Sequence, residues 1–493
     1  MSSSLDILKE RMADVNALGA AMSIMDWDQQ TYMPRGGAEA RAAHLESLSR
    51  MRHELFTSDE VQKLVEAAAK DAEGDDLALV RVIKRDLELA TKLPSELVAR
   101  KSKLAAIAHE DWVSARTRND FPGFAETLEK MFDICKEEAE CLGYTDHIYD
   151  ALTDQYEEGM TAAEWKKMYE SIKGPQVELV KAIKECGPVD DSRLYGDWDK
   201  SKQSEFTEMI VKAIGFDFNR GRQDTAPHPF CTGWSVGDIR LTTRYKPYLG
   251  SAIFGSMHEA GHGMYEQGSP EKWDLTSLAG GVSLGVHESQ SRTWENIVGR
   301  SRAFWTHFLP DLQKTFPAIA DLSVDHFYKI INKVEPSLIR VEADELTYNL
   351  HTLVRFEIEC AVLTDELKVK DMPEAWNAKY EEYLGVRPTT DSEGCLQDVH
   401  WSMGSIGYFP TYSMGNILSY QIWNSLEKDV NNPDELIAKG EFEPILGWLQ
   451  AKIYSQGRKY TPKELILNAT GEPMNAKYYL DGLGAKYREL YGL

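Results

Sequence analysis

The segment 256–263 carries side chains whose types and spacing suit a metal site. It reads Ser-Met-His-Glu-Ala-Gly-His-Gly and so contains the pattern His-Glu-x-x-His. On a helix, His258 and His262 would lie one turn apart and about 40° apart around the axis, so their imidazoles could bind one metal ion from the same face. Glu259 adjoins the first histidine and could act as a base on a water molecule at that ion. Two ligands and a base in this pattern are typical of zinc peptidases.

A catalytic zinc site of this kind needs a third protein ligand and keeps one position open. A third histidine six residues after the second is excluded, because Gly268 occupies that place. The other common arrangement takes a carboxylate from a following helix. The segment 285–295 is polar and ionisable between apolar neighbours, and we predict that its Glu288 is the third ligand. Glu295 and Ser289 are predicted to support the ligands from behind.

Four further motifs accompany this pattern along the chain. They are 238–242 (Asp-Ile-Arg-Leu-Thr), 287–292 (His-Glu-Ser-Gln-Ser-Arg), 339–344 (Ile-Arg-Val-Glu-Ala-Asp) and 394–401 (Gly-Cys-Leu-Gln-Asp-Val-His-Trp). In these motifs and their order the sequence resembles the carboxypeptidase Taq family of metallocarboxypeptidases. The resemblance covers essentially the whole chain, including 27–34 (Trp-Asp-Gln-Gln-Thr-Tyr-Met-Pro).

The resemblance implies a metal-dependent carboxypeptidase that removes single C-terminal residues from peptides in a groove closed at one end. It implies one divalent metal per chain, zinc before cobalt or manganese, and a homodimer. It also points to Arg340 first and Arg240 second as anchors of the substrate's free α-carboxylate. Arginine suits this role because its planar fork binds a carboxylate through two hydrogen bonds. Arg355, which shares a predicted helical stripe with Arg340, is a third candidate.

Peptide hydrolysis also needs a hydrogen-bond donor for the oxyanion that forms at the scissile carbonyl. His228, Tyr408 and Tyr412 are candidates that the sequence does not rank. The two tyrosines lie in the segment 394–415, which is rich in glycine and aromatic residues. We predict that this segment is a shaped loop, since such loops often carry function.

The elements that position these residues are predicted to be mainly helical. Apolar residues recur at spacings of three and four along most of the chain, as in amphipathic helices. Alternating apolar and polar residues over 234–245 predict a strand, and thus a small β-sheet beside the active-site groove. A helix is predicted from residue 336 to about 367, with Arg340, Tyr348 and Arg355 on one stripe.

We therefore expect a large single-unit helical metallopeptidase fold, one domain over residues 1–493. Within it, residues 1–220 would form a mostly helical cover. Residues 221–415 would form the catalytic core with the metal site, and residues 416–493 the C-terminal helices. No Pro-, Gly- or Ser-rich linker divides the chain, and a hydrophobic fraction of 42% with 12 Trp is ample for a large core.

Composition argues against several other classes of protein. The net charge of −24 disfavours binding to nucleic acid or to anionic membranes. No apolar run approaches 18 residues, and the first residues lack the basic and apolar parts of a signal peptide. The six cysteines are irregularly spaced and expected to be free thiols, so the cytoplasm is the expected location.

Two competing interpretations remain at this point. A zinc endo- or oligopeptidase acting on short peptides would use the same His-Glu-x-x-His chemistry, and only the need for a free C-terminus separates it from a carboxypeptidase. A non-catalytic helical binding protein could keep the motif for structure. That interpretation leaves Glu259 without a role, because a structural zinc site has four protein ligands and only three are apparent.

Overall fold

The first part of the chain is a series of helices. The protein is described by a computed structural model over residues 3–493. The helices before the sheet are α1 (Ser4–Thr31), α2 (Ala38–Phe56), α3 (Asp59–Asp71), α4 (Gly74–Lys92), α5 (Ser95–Arg118), α6 (Phe121–Leu142), α7 (Ile148–Thr153), α8 (Ala162–Glu185) and α9 (Lys200–Ala213). Thr161 caps the start of α8, because its hydroxyl accepts the Glu164 N–H.

A three-stranded sheet follows α9 and leads directly into the motif helix. Its strands are β1 (Gly221–Thr225), β2 (Cys231–Ser235) and β3 (Asp238–Thr243), in the order β1-β3-β2. β1 pairs parallel and β2 antiparallel with the central β3. The prediction of a single strand over 234–245 was wrong at its start, because β2 ends at Ser235 and β3 begins only at Asp238. Asp274 accepts the Ser235 hydroxyl and the Val236 N–H, which fixes a turn between β2 and β3.

The motif helix and all later elements are helical. They are α10 (Gly250–Gln267), α11 (Leu284–Arg292), a π-helical turn (Thr293–Val298), α12 (Arg302–Thr315), α13 (Val324–Ile331), α14 (Tyr348–Leu363), α15 (Met372–Leu384), α16 (Pro410–Asp429), α17 (Pro433–Lys439), α18 (Glu443–Lys452), α19 (Pro462–Thr470) and α20 (Lys477–Tyr491). The mainly helical fold with a small sheet is therefore confirmed. No helix within residues 3–493 has both the length and the apolar character needed to cross a membrane.

Two predicted boundaries were wrong. The helix expected from residue 336 begins only at Tyr348. The Asp344 carboxylate accepts the N–H groups of Leu346 and Thr347, and such side-chain bonds compete with helical ones. The segment 394–415 is not all loop, because Pro410, whose fixed φ suits a first helical turn, starts α16 there.

The buried apolar side chains form two separate clusters. The larger one runs from Ala108 to Tyr487 and surrounds α10, α11 and α16. The smaller one joins α1, α3 and α4 to Trp273 and Leu278, which lie between α10 and α11. The N-terminal helices thus have an apolar core of their own, which packs against the connection between α10 and α11. That the whole chain is one domain with the three parts named above stays a prediction.

Candidate metal and active site

Three side chains from two helices converge at one point. His258 and His262 project from α10 and Glu288 from α11, and one ligand atom of each lies within 4.8 Å of the other two. Glu288 Oε2 is 3.6 Å from His258 Nε2 and 3.5 Å from His262 Nε2. A tetrahedral zinc ion with bonds of about 2.0–2.1 Å requires ligand atoms about 3.3–3.4 Å apart. The three residues therefore fit a divalent metal, as the family resemblance implied.

The pKa of each of the three candidate ligands departs from its ordinary value. Burial lowers the pKa of His262 to about 4, so its ring is neutral. Burial alone would raise the pKa of Glu288, but Arg292 and His258 outweigh this and hold it well below its usual range. Burial alone would also lower the pKa of His258, but Glu288 and Glu295 outweigh this and raise it to about 9. Metal binding therefore has to release the proton of His258.

The π-helical turn brings Glu295 behind His258. In this turn the Gly299 N–H donates to the carbonyl of Trp294, five residues back, instead of four. His258 Nδ1 donates to Glu295 Oε2 at 2.9 Å, which leaves Nε2 for the metal. Arg292 joins the two carboxylates, with Nε 2.7 Å from Glu288 Oε1 and Nη1 3.1 Å from Glu295 Oε2.

The other histidine ligand has a partner that sequence reasoning missed. His262 Nδ1 lies 2.8 Å from His287 Nδ1, and His287 Nε2 lies 2.5 Å from Glu266 Oε1. A signal was available, because Glu266 follows His262 by one helical turn and His287 adjoins Glu288. Ser289, in contrast, donates to the carbonyl of Val286 and does not support a ligand through that bond.

Ser291 is the serine that bonds the third ligand. Its hydroxyl lies 3.1 Å from Glu288 Oε2 and 2.7 Å from the Glu288 carbonyl oxygen. With Arg292 on the other carboxylate oxygen, the Glu288 side chain is held from two sides. The sequence placed both residues in the motif 287–292 but did not show which of them face the ligand.

Two glycines allow the three helices at the site to pack closely. A Cβ on Gly261 of α10 would lie 2.6 Å from the carbonyl oxygen of Gln290 in α11. A Cβ on Gly415 of α16 would lie 2.4 Å from Glu288 Cγ. Each position therefore has room for a hydrogen atom only. The side chain of Glu288, which projects from α11, packs directly against the backbone of α16.

We expect Gly415→Ala to weaken metal binding about tenfold, because the new methyl group must displace the Glu288 side chain. The measurement is the dissociation constant for Zn²⁺, by competition with a chromophoric chelator. Gly447→Ala is the matched control, since nothing lies within 4 Å of a Cβ at that helical position. Equal affinities in the two variants would contradict the argument.

Glu259 lies beside the ligands on α10. Its side chain is only 6% exposed. Burial raises the pKa of its carboxyl group to about 7, and the charge of His258 opposes this rise. A carboxyl group with a pKa near neutrality can both accept and return a proton at physiological pH.

The predicted anchors Arg340 and Arg355 are buried and share one carboxylate. Arg340 donates through Nε and Nη2 to Asp398 Oδ1 at 3.1 and 2.7 Å, and through Nη1 to the Tyr348 hydroxyl at 2.6 Å. Arg355, fully buried, donates through Nε to Asp398 Oδ2 at 2.7 Å. The Arg292 guanidinium lies 4.7 Å from the ring centre of Tyr348, so this cluster reaches the metal ligands.

Arg240 of β3 is more accessible than Arg340. Its side chain is 19% exposed, against 5% for Arg340. It donates through Nε and Nη2 to Asp238, and it lies between the rings of Trp27 and Trp234 at 4.8 and 5.0 Å. Trp27 belongs to α1, so the N-terminal helices contact Arg240. The sequence motif 27–34 contained that residue but gave no sign of its partner.

The three candidate oxyanion donors lie in different surroundings. His228 is exposed between β1 and β2, and the partial desolvation of its ring, together with the positive charge of Arg244, lowers its pKa. Tyr408 and Tyr412 pack edge to face, with ring centres 5.3 Å apart. Burial raises the pKa of both tyrosines, and the nearby charge of Glu288 adds to the rise. Tyr412 lies one helical turn before Gly415, which packs against Glu288.

The fold and the site are those of a metal-dependent peptide hydrolase. The family model described as carboxypeptidase Taq (M32) metallopeptidase matches residues 7–487. The chain is 38% identical to carboxypeptidase 1 of Bacillus subtilis, over 99% of this chain and 97% of that protein. It is 39% identical to thermostable carboxypeptidase 1 of Pyrococcus furiosus, over 96% of each.

Solved structures agree with the sequence comparisons. The M32 carboxypeptidase from Deinococcus radiodurans superposes with a TM-score of 0.98 at 39% identity, over 99% of this chain and 100% of that chain. The Pyrococcus furiosus carboxypeptidase gives a TM-score of 0.96 at 38% identity, over 99% of each chain. The chain therefore belongs to the carboxypeptidase Taq (M32) family and is a metallocarboxypeptidase.

Proposed function

We propose that this metallocarboxypeptidase removes single residues from the C-termini of peptides, with Glu259 as general base. The observation that carries the proposal is the position of Glu259 on α10 between two histidines that converge with Glu288. His258, His262 and Glu288 would hold a divalent ion, which would supply a Lewis acid for the scissile carbonyl and would lower the pKa of a water molecule towards about 7. Two imidazoles and one carboxylate favour zinc, with cobalt or manganese as alternatives.

The carboxylate of Glu259 takes a proton from the attacking water and later returns it to the leaving amine. Its burial and its pKa of about 7 support both steps. For the oxyanion we propose a tyrosine hydroxyl, from Tyr408 or Tyr412, because the two rings pack together and Tyr412 lies one helical turn before Gly415, which packs against Glu288. His228 is a third candidate, since an imidazole N–H can donate a hydrogen bond.

We propose Arg340 and Arg240 as the anchors of the substrate carboxylate. A guanidinium has five N–H groups. In Arg340, three of these N–H groups donate to Asp398 and Tyr348. In Arg240, two of them donate to Asp238. Both therefore keep donors, and the greater exposure of Arg240 favours it on access. Arg355 has no exposed surface, so its part would be to hold Asp398 against Arg340.

The requirement for a free C-terminus tests the proposal. We expect the wild type to cleave a short free-acid peptide far better than its C-terminal amide, because a charged bidentate pair with arginine is lost in the amide. Loss of the anchor should cost on the order of 2–4 kcal/mol in kcat/KM, much of it from misplacing the scissile bond. The measurement is kcat/KM for both peptides with wild type, Arg340→Ala, Arg340→Lys and Arg240→Ala.

The alanine variant of whichever arginine is the anchor should lose its preference for the free acid. If Arg340 is the anchor, Arg340→Lys should also have a low kcat/KM, since lysine lacks the planar fork. Arg387→Ala, which removes a surface arginine paired with Glu374, is the control and should keep the preference. Equal cleavage of acid and amide by the wild type would instead indicate an endo- or oligopeptidase.

We also propose a cytoplasmic location and a homodimer. All six cysteines are free, as is usual for proteins of reducing compartments. The homodimer rests on the family resemblance alone, and sedimentation of the purified protein would test it. Peptides with a free C-terminus are the proposed partners. The net charge of −24 disfavours nucleic acid and anionic membranes.

A further inference from the structure

We propose that His287 and Glu266 are positioning residues for His262, and that they set the strength of metal binding. Together the three side chains form a hydrogen-bonded series that runs from the metal site to the connection between α10 and α11. This inference rests on the proposed role of His262 as a metal ligand. It concerns two residues outside the candidate ligand group of His258, His262 and Glu288.

The direction of each hydrogen bond follows from the proposed role of His262 as a metal ligand. His262 Nε2 lies 3.5 Å from Glu288 Oε2, on the side of the other two candidate ligands, and as a ligand atom it keeps its lone pair for the metal. The ring proton of His262 is then on Nδ1, and it is donated to His287 Nδ1 at 2.8 Å. His287 in turn carries its proton on Nε2 and donates it to Glu266 Oε1 at 2.5 Å. This arrangement gives each of the four ring nitrogens a partner.

The series is fixed at its far end. Glu266 Oε1 also accepts the backbone N–H of Gly281, which lies just before α11. The hydroxyl of Tyr265 accepts the N–H of Val282 in the same connection. The ring of His287 packs between two others, with centres 4.9 Å from His262 and 5.0 Å from Tyr265. Its orientation is therefore set by backbone bonds and by ring packing.

The two histidine ligands are thus supported in different ways. His258 donates directly to the carboxylate of Glu295. His262 donates to an imidazole, which only then reaches the carboxylate of Glu266. Replacing His287 with an apolar side chain would leave the Nδ1–H of His262 without its partner, which costs free energy and frees the ring to turn. Outer partners of metal-binding histidines typically change metal affinity by 10–100-fold.

The test compares His287→Asn with His287→Phe. Asparagine places an oxygen near the position of Nδ1 and so keeps an acceptor for His262, whereas phenylalanine fills the space and offers none. We expect the dissociation constant for Zn²⁺, by competition with a chelator, to rise about 10–100-fold in His287→Phe. It should rise less in His287→Asn. The visible spectrum of bound Co²⁺ should change in the phenylalanine variant, because the His262 ring can turn.

Two further variants complete the comparison. Glu266→Gln removes only the charge at the end of the series and should weaken Zn²⁺ binding less than His287→Phe; it also gives a reading if the phenylalanine variant fails to fold. His326→Asn, at an exposed position of α13, is the control for loss of a histidine and should bind Zn²⁺ like the wild type.

Wild-type affinity in both His287→Phe and Glu266→Gln would overturn the inference, as would equal losses for asparagine and phenylalanine at position 287. Glu288→Ala separates this result from failure of the proposed function. If Glu288→Ala binds Zn²⁺ as the wild type does, the metal site itself is misplaced and the inference falls with it.

Discussion

Glu288→Ala is expected to lose the metal and, with it, all metal-dependent peptidase activity. Two histidines remain as ligands, and a site with three protein ligands has no substitute for the third. The change also removes the nearer of the two carboxylates that Arg292 contacts, at 2.7 Å, and leaves its positive charge paired with Glu295 alone. His258→Ala and His262→Ala should lose the metal for the same reason.

Metal content after dialysis, measured by elemental analysis, tests this expectation. Circular dichroism and thermal unfolding would show that the variant still folds. Ser289→Ala is the control on the same helix, because its hydroxyl bonds the backbone of Val286. It should keep one metal ion per chain. Stoichiometric metal in Glu288→Ala would disprove the assignment, and Glu295 would be the next ligand to test.

Glu259→Gln is expected to keep the metal and lose about 10²-fold or more in kcat. Glutamine has nearly the same shape as glutamate but cannot accept a proton from water. The effect should appear in kcat more than in KM, because the proton moves only as the transition state forms. Glu259→Asp keeps a carboxylate on a shorter side chain and should retain more activity than the glutamine variant.

The measurement is steady-state kinetics on metal-loaded samples of both variants, with metal content determined on the same preparation. Loss of metal from Glu259→Gln would mean that Glu259 also holds the site together. Turnover close to that of the wild type in a fully loaded Glu259→Gln sample would rule out its role as base.

Local sequence patterns predicted the centre of the site. A spacing of four on a helix places His258 above His262, and this requires no knowledge of the rest of the fold. Glu288 could be selected because its segment was polar between apolar neighbours. The small sheet before α10 was also visible, since strands alternate with a period of two. In each case the pattern that carried the prediction is contained in a short segment of the sequence.

Features that depend on tertiary contacts were not visible in the sequence. The pairing of Arg340 with Asp398 joins residues 58 apart in the chain. Arg240 and Trp27 meet across more than 200 residues. Periodicity reports which face of a helix is apolar, but it does not report which polar group will lie opposite a charged one.

The missing side chain at Gly261 has a consequence for protein design. Helices that pack through ordinary side chains lie about 8–10 Å apart. At this site α10 and α11 meet at backbone level, since the carbonyl oxygen of Gln290 occupies the space of a Cβ at Gly261. The reach of Glu288 towards the two histidines therefore depends on how closely two backbones approach. Copying the five motif residues and one glutamate onto another pair of helices would not transplant the site, unless the recipient scaffold also permits that approach.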